Sequence, residues 1–188
     1  MAKTINPFFC RFTLQFKVLL NHRAMRKEQH LRKKTKRLII LFMVLLVLSG
    51  ITAFPLEWEL SLLAQWTNNA PDLIKDWAHK VYEAIKNTNA RYPFMAYGTD
   101  WLAFAHLVIA VAFIGPLRDP VKNSWVIQFG MIACIMVFPL AFIGGSIRHI
   151  PFYWQLIDCS FGVFGFIPLY LCRKYILQIE KLTLKNNL

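Results

Sequence analysis

The chain has 188 residues, 56% of them apolar and 17% charged, with a mean hydropathy of +0.40 and a formal net charge of +12. So apolar a composition excludes a disordered chain, which needs low hydrophobicity, and it argues against a soluble nucleic-acid binder, whose basic residues sit on a polar fold. Membrane helices with basic flanks satisfy both numbers.

The charge is concentrated at the start. Residues 1–37 hold eleven Lys and Arg and one acid, Glu28. Within this arm, residues 7–20 place Phe8, Phe9, Phe12, Phe16, Leu19 and Leu20 on one helical face, with Arg11, Gln15 and Lys17 mostly off it. That pattern suits an amphipathic helix lying in the membrane interface. Arg32, Lys33, Lys34, Lys36 and Arg37 then form a juxtamembrane basic cluster. It reads first as a topology signal and second as a patch attracted to anionic lipid, at about 1 kcal/mol per residue. A transit peptide shares this basic, acid-poor character. Translation starting at Met25 would remove the Phe-rich helix.

The first apolar stretch, 38–54, is free of charge and stopped by Pro55. A signal peptide has similar parts, but the basic leader is long and Ile51 is a poor residue for a cleavage site, so the reading is an uncleaved anchor. Residues 55–100 follow as a polar segment with helical pattern. A short amphipathic piece over 56–66 carries Trp58, Leu62, Leu63 and Trp66. A second begins at Pro71 and Asp72, with Leu73, Ile74, Trp77, Val81 and Ile85 on one stripe, and ends in Asn87-Thr88-Asn89. Each piece is too small to bury a core alone. Both are expected to lie on the bilayer or cap the bundle. The turn-rich run 91–100 leads into the next span, with Thr99 or Asp100 as its cap.

Three further apolar stretches cover 101–117, 125–147 and 152–172. Their uniform hydrophobicity is the signal of membrane helices rather than of a barrel. Pro139 and Pro168 interrupt the last two, which membrane helices tolerate. Arg118-Asp119-Pro120 reads as a tight turn with a local ion pair. The fold class is therefore an all-α membrane protein, a four-transmembrane-helix bundle with an extracytoplasmic amphipathic helical segment and a basic cytoplasmic N-terminal arm. Its parts are the arm 1–37, helix 38–54, the outer segment 55–100, and helices 101–117, 125–147 and 152–172 with a basic tail to 188.

Orientation follows from Lys and Arg. With the N-terminus in the cytoplasm, the inner segments 1–37, 118–124 and 173–188 hold 17 of them, and the outer segments 55–100 and 148–151 hold 5. Both termini are thus expected in the cytoplasm, in a bacterial cytoplasmic (inner) membrane.

Ionisable residues inside a span are costly and are functional candidates by default. His106 and Asp158 lie roughly 6–8 Å below the outer boundary at ~1.5 Å per residue. Asp100, Arg148 and His149 stand at the outer edge, and the five residues form a candidate polar pocket. Small residues mark inward faces: Ala103 and Ala110 beside His106, Gly130, Cys134, Ala141 and Gly145 on the third span, and Gly162 and Gly165 beside Asp158. A structural role would pair Asp158 with Arg148 or His106 and let Gln128 bond across an interface. A functional role would make His106 a proton carrier or ligand donor with Asp158 as partner.

The four cysteines, Cys10, Cys134, Cys159 and Cys172, show no CxxC or Cys/His spacing and read as packing residues. No Ser/His/Asp arrangement, HExxH or Gly-rich phosphate loop is present, and no metal or cofactor is implied. The chain reads as a non-catalytic module that binds membrane lipids or another membrane protein, with a homo-oligomer as one form; nucleic acid is not an expected partner. The alternative is a small transporter or membrane enzyme using the His106/Asp158 pocket.

Overall fold

The computed structural model describes residues 7–186, with side chains over 22–184. Among them there is no strand. The helices in chain order are α1 (Pro7–Ala53), α2 (Leu56–Trp66), α3 (Asp72–Arg91), α4 (Ala96–Ala112), α5 (Ile114–Arg118), α6 (Ser124–Pro139), α7 (Gly145–Ile147) and α8 (Phe152–Asn186). Short 3₁₀ turns at Thr67–Asn69 and Pro93–Met95 precede α3 and α4, and a π-helical turn, Leu140–Gly144, joins α6 to α7.

Four segments are long and apolar enough to cross a membrane: His22–Ala53, Pro93–Arg118, Ser124–Ile147 and Phe152–Leu184. No more than 33% of the most apolar window in any of them is buried. Ile40, Leu41, Leu48, Val108, Val111, Ile132 and Phe164 all present large apolar surfaces outward. A soluble protein rarely tolerates so much exposed apolar area; hydrocarbon removes the penalty.

The spans start and stop differently from the sequence expectation. α1 is one helix of 47 residues, about 70 Å at ~1.5 Å per residue. Pro7 sits at its first position, and no Pro and no Gly before Gly50 interrupts the run of Leu, Lys, Arg, Met, Glu and Gln that follows. The Phe-rich stretch 7–20 therefore belongs to the backbone of the same helix as the first span; its side chains lie outside the described ones. The second span begins earlier than 101, because the Pro93–Met95 turn already starts the helix through Met95 N–H donating to Tyr92 O. Thr99 is consequently inside a helix and donates to Ala96 O rather than capping. The tail from 173 to 186 continues α8, carrying an apolar seam onward through Ile176 and Ile179.

The chain divides into two compact units. One comprises α1 up to Phe42 together with everything from Phe113. Its core on α1 is Leu31, Thr35, Ile39 and Phe42, and on α8 it is Leu169, Cys172, Ile176 and Ile179, each set spaced three or four residues apart. Cys172 donates its Sγ–H to Thr35 O at 3.7 Å, and Thr35 satisfies its own buried hydroxyl by donating to Leu31 O. Phe113, fully buried, stacks obliquely on Phe42 with ring centroids 4.8 Å apart. α6 and α8 approach through the small residues expected to face inward. A Cβ on Gly162 would stand 2.7 Å from Cys134 O, and one on Gly130 would stand 2.8 Å from Leu169 Cδ1.

The loop between α5 and α6 is held without the expected ion pair. Asp119 Oδ1 accepts from the Val121 and Lys122 amides, and Asn123 Nδ2 donates to Gly115 O and Asp119 O. Such an Asx turn uses the short carboxylate locally, leaving Arg118 exposed. The other unit, Met43–Ala112, holds the C-terminal end of α1, then α2, α3 and α4. There Gly50 lies against α4, where an added Cβ would come within 2.9 Å of Ala103 O.

Candidate functional site

A hollow in the 43–112 unit is built from its polar segment. Pro55 ends α1, and its carbonyl accepts the Glu59 amide to start α2. Glu57 and Glu59 occupy the first turn, where negative charge suits the helix dipole. α2 and α3 form an antiparallel hairpin tied at both ends. Asn68 Oδ1 and His79 Nε2 meet at 3.0 Å near the turn, and Asn89 Nδ2 donates to Glu57 Oε2 at 2.8 Å at the open end. Leu60, Ala64 and Ala78 are the buried contacts between these ties.

The open end, together with the start of α4, encloses a groove of about 600 Å³. Glu57, Trp58 and Ser61 line it from α2, Tyr82 and Asn89 from α3, and Thr99 from α4. Phe54 lies on its rim and also on a second hollow of about 280 Å³, formed with Tyr97, Asp100, Trp101 and Phe104. Tyr97, Trp101 and Phe104 stack edge to face in sequence, with centroids 6.0 and 5.9 Å apart. Neither hollow is lined by a Lys or Arg.

The five residues of the expected polar pocket have different settings. His106, half-buried on α4, meets Leu102 O with Nδ1 at 2.8 Å, so its Nδ1–H is committed to its own helix. Asp100 lines the smaller hollow of the same unit. Asp158 belongs to the other unit and is half-buried on α8. Among the described residues the only ion pair is Arg32 with Glu28 at 2.9 Å, so Asp158 does not pair with Arg148. Arg148 and His149 are exposed in the turn after α7. That turn is a Schellman motif: Ile150 N–H donates to Gly145 O and His149 N–H to Ser146 O, with His149 at φ 56°. Its two edge residues thus serve a chain reversal, which Gln155 reinforces by donating to Ile150 O at 2.8 Å. Gln128 is exposed, and its side chain makes no hydrogen bond among the described residues.

In the basic cluster, Lys33, Lys34, Lys36 and Arg37 are exposed, and Arg32 is partly covered through Glu28. Leu31 and Thr35 beneath them are buried, so the charges occupy the face of α1 turned away from the core.

The groove was absent from the sequence reading. Glu57 and Asn89 are 32 residues apart, and no local period links them. The available signal was weaker: Tyr82, Ile85 and Asn89 share one side of α3, and Glu57 and Ser61 one side of α2, at three- and four-residue spacings. No family model matches the chain, and comparison with curated proteins and with solved structures finds no match.

Proposed function

We propose that the chain is a multi-pass membrane module that holds a lipid in the groove of α2, α3 and α4 without transforming it. The observation that carries this reading is the groove itself. Its volume of about 600 Å³ falls within the range of small-ligand sites, and Phe54, Trp58 and Met95 give it the apolar lining such sites have. The Lys and Arg distribution supports both termini inside; in a bacterial cytoplasmic membrane, as we propose, the groove would then stand at the outer headgroup level. Trp58, 61% exposed, and Trp66, 78% exposed, suit that depth, where aromatic rings meet both water and acyl chains.

A second reading, a small transporter or membrane enzyme, draws support from one residue. Asp158 carries a half-buried carboxyl with no hydrogen bond or ion pair among the described residues, and unsatisfied ionisable groups in spans mark functional paths. The two readings separate by filling the groove. The protein is extracted gently, and retained lipid is counted by native mass spectrometry. Ser61→Trp is expected to abolish retention while preserving the monodisperse fold. Equal retention by wild type and Ser61→Trp refutes the groove reading.

A further inference from the structure

The polar lining of the groove mixes donors and acceptors, but its one charged side chain is Glu57, and this bears on what it can hold. Ser61 spends its hydroxyl proton on Trp58 O at 2.7 Å, and Thr99 spends its own on Ala96 O at 2.6 Å. Both oxygens are left with lone pairs only. Asn89 Nδ2 donates one of its two N–H groups to Glu57 Oε2, while Glu57 Oε1 has no protein partner among the described residues; Trp58, Tyr82 and Thr88 bring donors of their own. The neighbouring hollow adds the Asp100 carboxylate, and no cationic side chain lines either space. The uncompensated carboxylate therefore favours a ligand that brings positive charge with N–H donors beside it, and the other donors and acceptors of the lining can serve the rest of its headgroup.

We infer that the groove selects a lipid whose headgroup ends in a primary ammonium, seated against Glu57, with an acyl chain on the aromatic shelf of Tyr97, Trp101 and Phe104. This deepens the lipid-holding function and rests on it. An ammonium group supplies three N–H donors, which match Glu57 Oε1, Ser61 Oγ and Thr99 Oγ1 in kind. A quaternary ammonium offers charge and no donor, and a glycerol headgroup offers donors and no charge. Trp58 adds an aromatic face that attracts a cation, while the Tyr82 ring is already met by Lys86 Nζ at 5.6 Å from its centroid. Phe54 lines both hollows, so the polar groove and the shelf lie next to each other around one side chain.

The test uses the full chain in nanodiscs with equal parts of ethanolamine-, choline- and glycerol-headed phospholipids of identical acyl chains. Retained lipid is identified by mass spectrometry after mild delipidation. The wild type is expected to keep the ethanolamine form on the order of tenfold over the other two, since charge-assisted hydrogen bonds are roughly twice as strong as neutral ones. Glu57→Gln, which still accepts from Asn89, is expected to bring that ratio close to one, and Glu57→Asp to keep most of it. Ser61→Trp should remove all three lipids. Equal retention of the three headgroups by wild type, or an unchanged ratio in Glu57→Gln, overturns the ammonium assignment while the groove reading stands. Retention that survives Ser61→Trp overturns both.

Discussion

Two residues singled out for chemistry have clearer consequences as backbone and as charge. His149 adopts φ 56° at the helix C′ position, where glycine is the usual occupant because a Cβ is strained there. A left-handed conformation costs a non-glycine residue roughly 1–2 kcal/mol. His149→Gly is therefore expected to raise thermal stability in detergent by about 1 kcal/mol, and His149→Val, with a branched Cβ, to lower it. Equal melting temperatures for all three would contradict the cap assignment. Asp158 is the opposite case. Pairing with Arg148 would make its removal cost about 3–5 kcal/mol, but no such pair forms. Asp158→Asn is expected to leave the melting temperature unchanged or to raise it, because burial disfavours the charge and nothing compensates. A marked loss of stability would reveal a partner for the carboxylate.

At the scale of helices, close approach depends on particular glycines. The 2.7 Å between a Cβ on Gly162 and Cys134 O is a clash with backbone, which no rotamer relieves. Gly162→Ala should force α6 and α8 apart and cost about 1–3 kcal/mol. Gly98, with nothing within 4 Å of its Cβ position, is the control. There alanine should stabilise α4 by about 0.4–1 kcal/mol. Chemical denaturation of the two variants side by side checks the contrast.

These elements also show why some features could be read in advance. The apolar runs, the two amphipathic helices before Arg91 and the small-residue faces at Gly130, Cys134 and Gly162 are local patterns of period 3.6, visible in one dimension. Helix ends were less legible. Pro93 starts the second span before its apolar run begins, and the seam through Ile176 and Ile179 prolongs α8 past its last long apolar stretch. The groove was not legible at all. It depends on Glu57 meeting Asn89 across a hairpin and on which proton Ser61 and Thr99 give away, and both are tertiary facts.

For the molecule as a whole, the decisive measurement is which side of the bilayer each loop occupies. With both termini inside, single cysteines introduced at 75–90 should react with a membrane-impermeant maleimide in intact cells. Positions 119–123 and those after 173 should react only after permeabilisation. Outside labelling of 119–123 would reverse the orientation and move the groove to the cytoplasmic face. Neutralising Arg32, Lys33, Lys34, Lys36 and Arg37 together should scramble the labelling pattern, since these exposed charges carry much of the positive-inside bias.

Cys134, Cys159 and Cys172 are free and buried. Folded protein therefore shields these three sulfurs from alkylating reagents, and melting releases them together. Once Cys10 is replaced by serine, a thiol-activated fluorophore becomes a thermometer for the fold: dark while the helices are packed and bright as they separate. The melting curves of the His149, Asp158 and Gly162 variants can then be recorded in micelles or nanodiscs with no other probe. The same shielding keeps the native sulfurs from competing with an introduced cysteine during loop labelling.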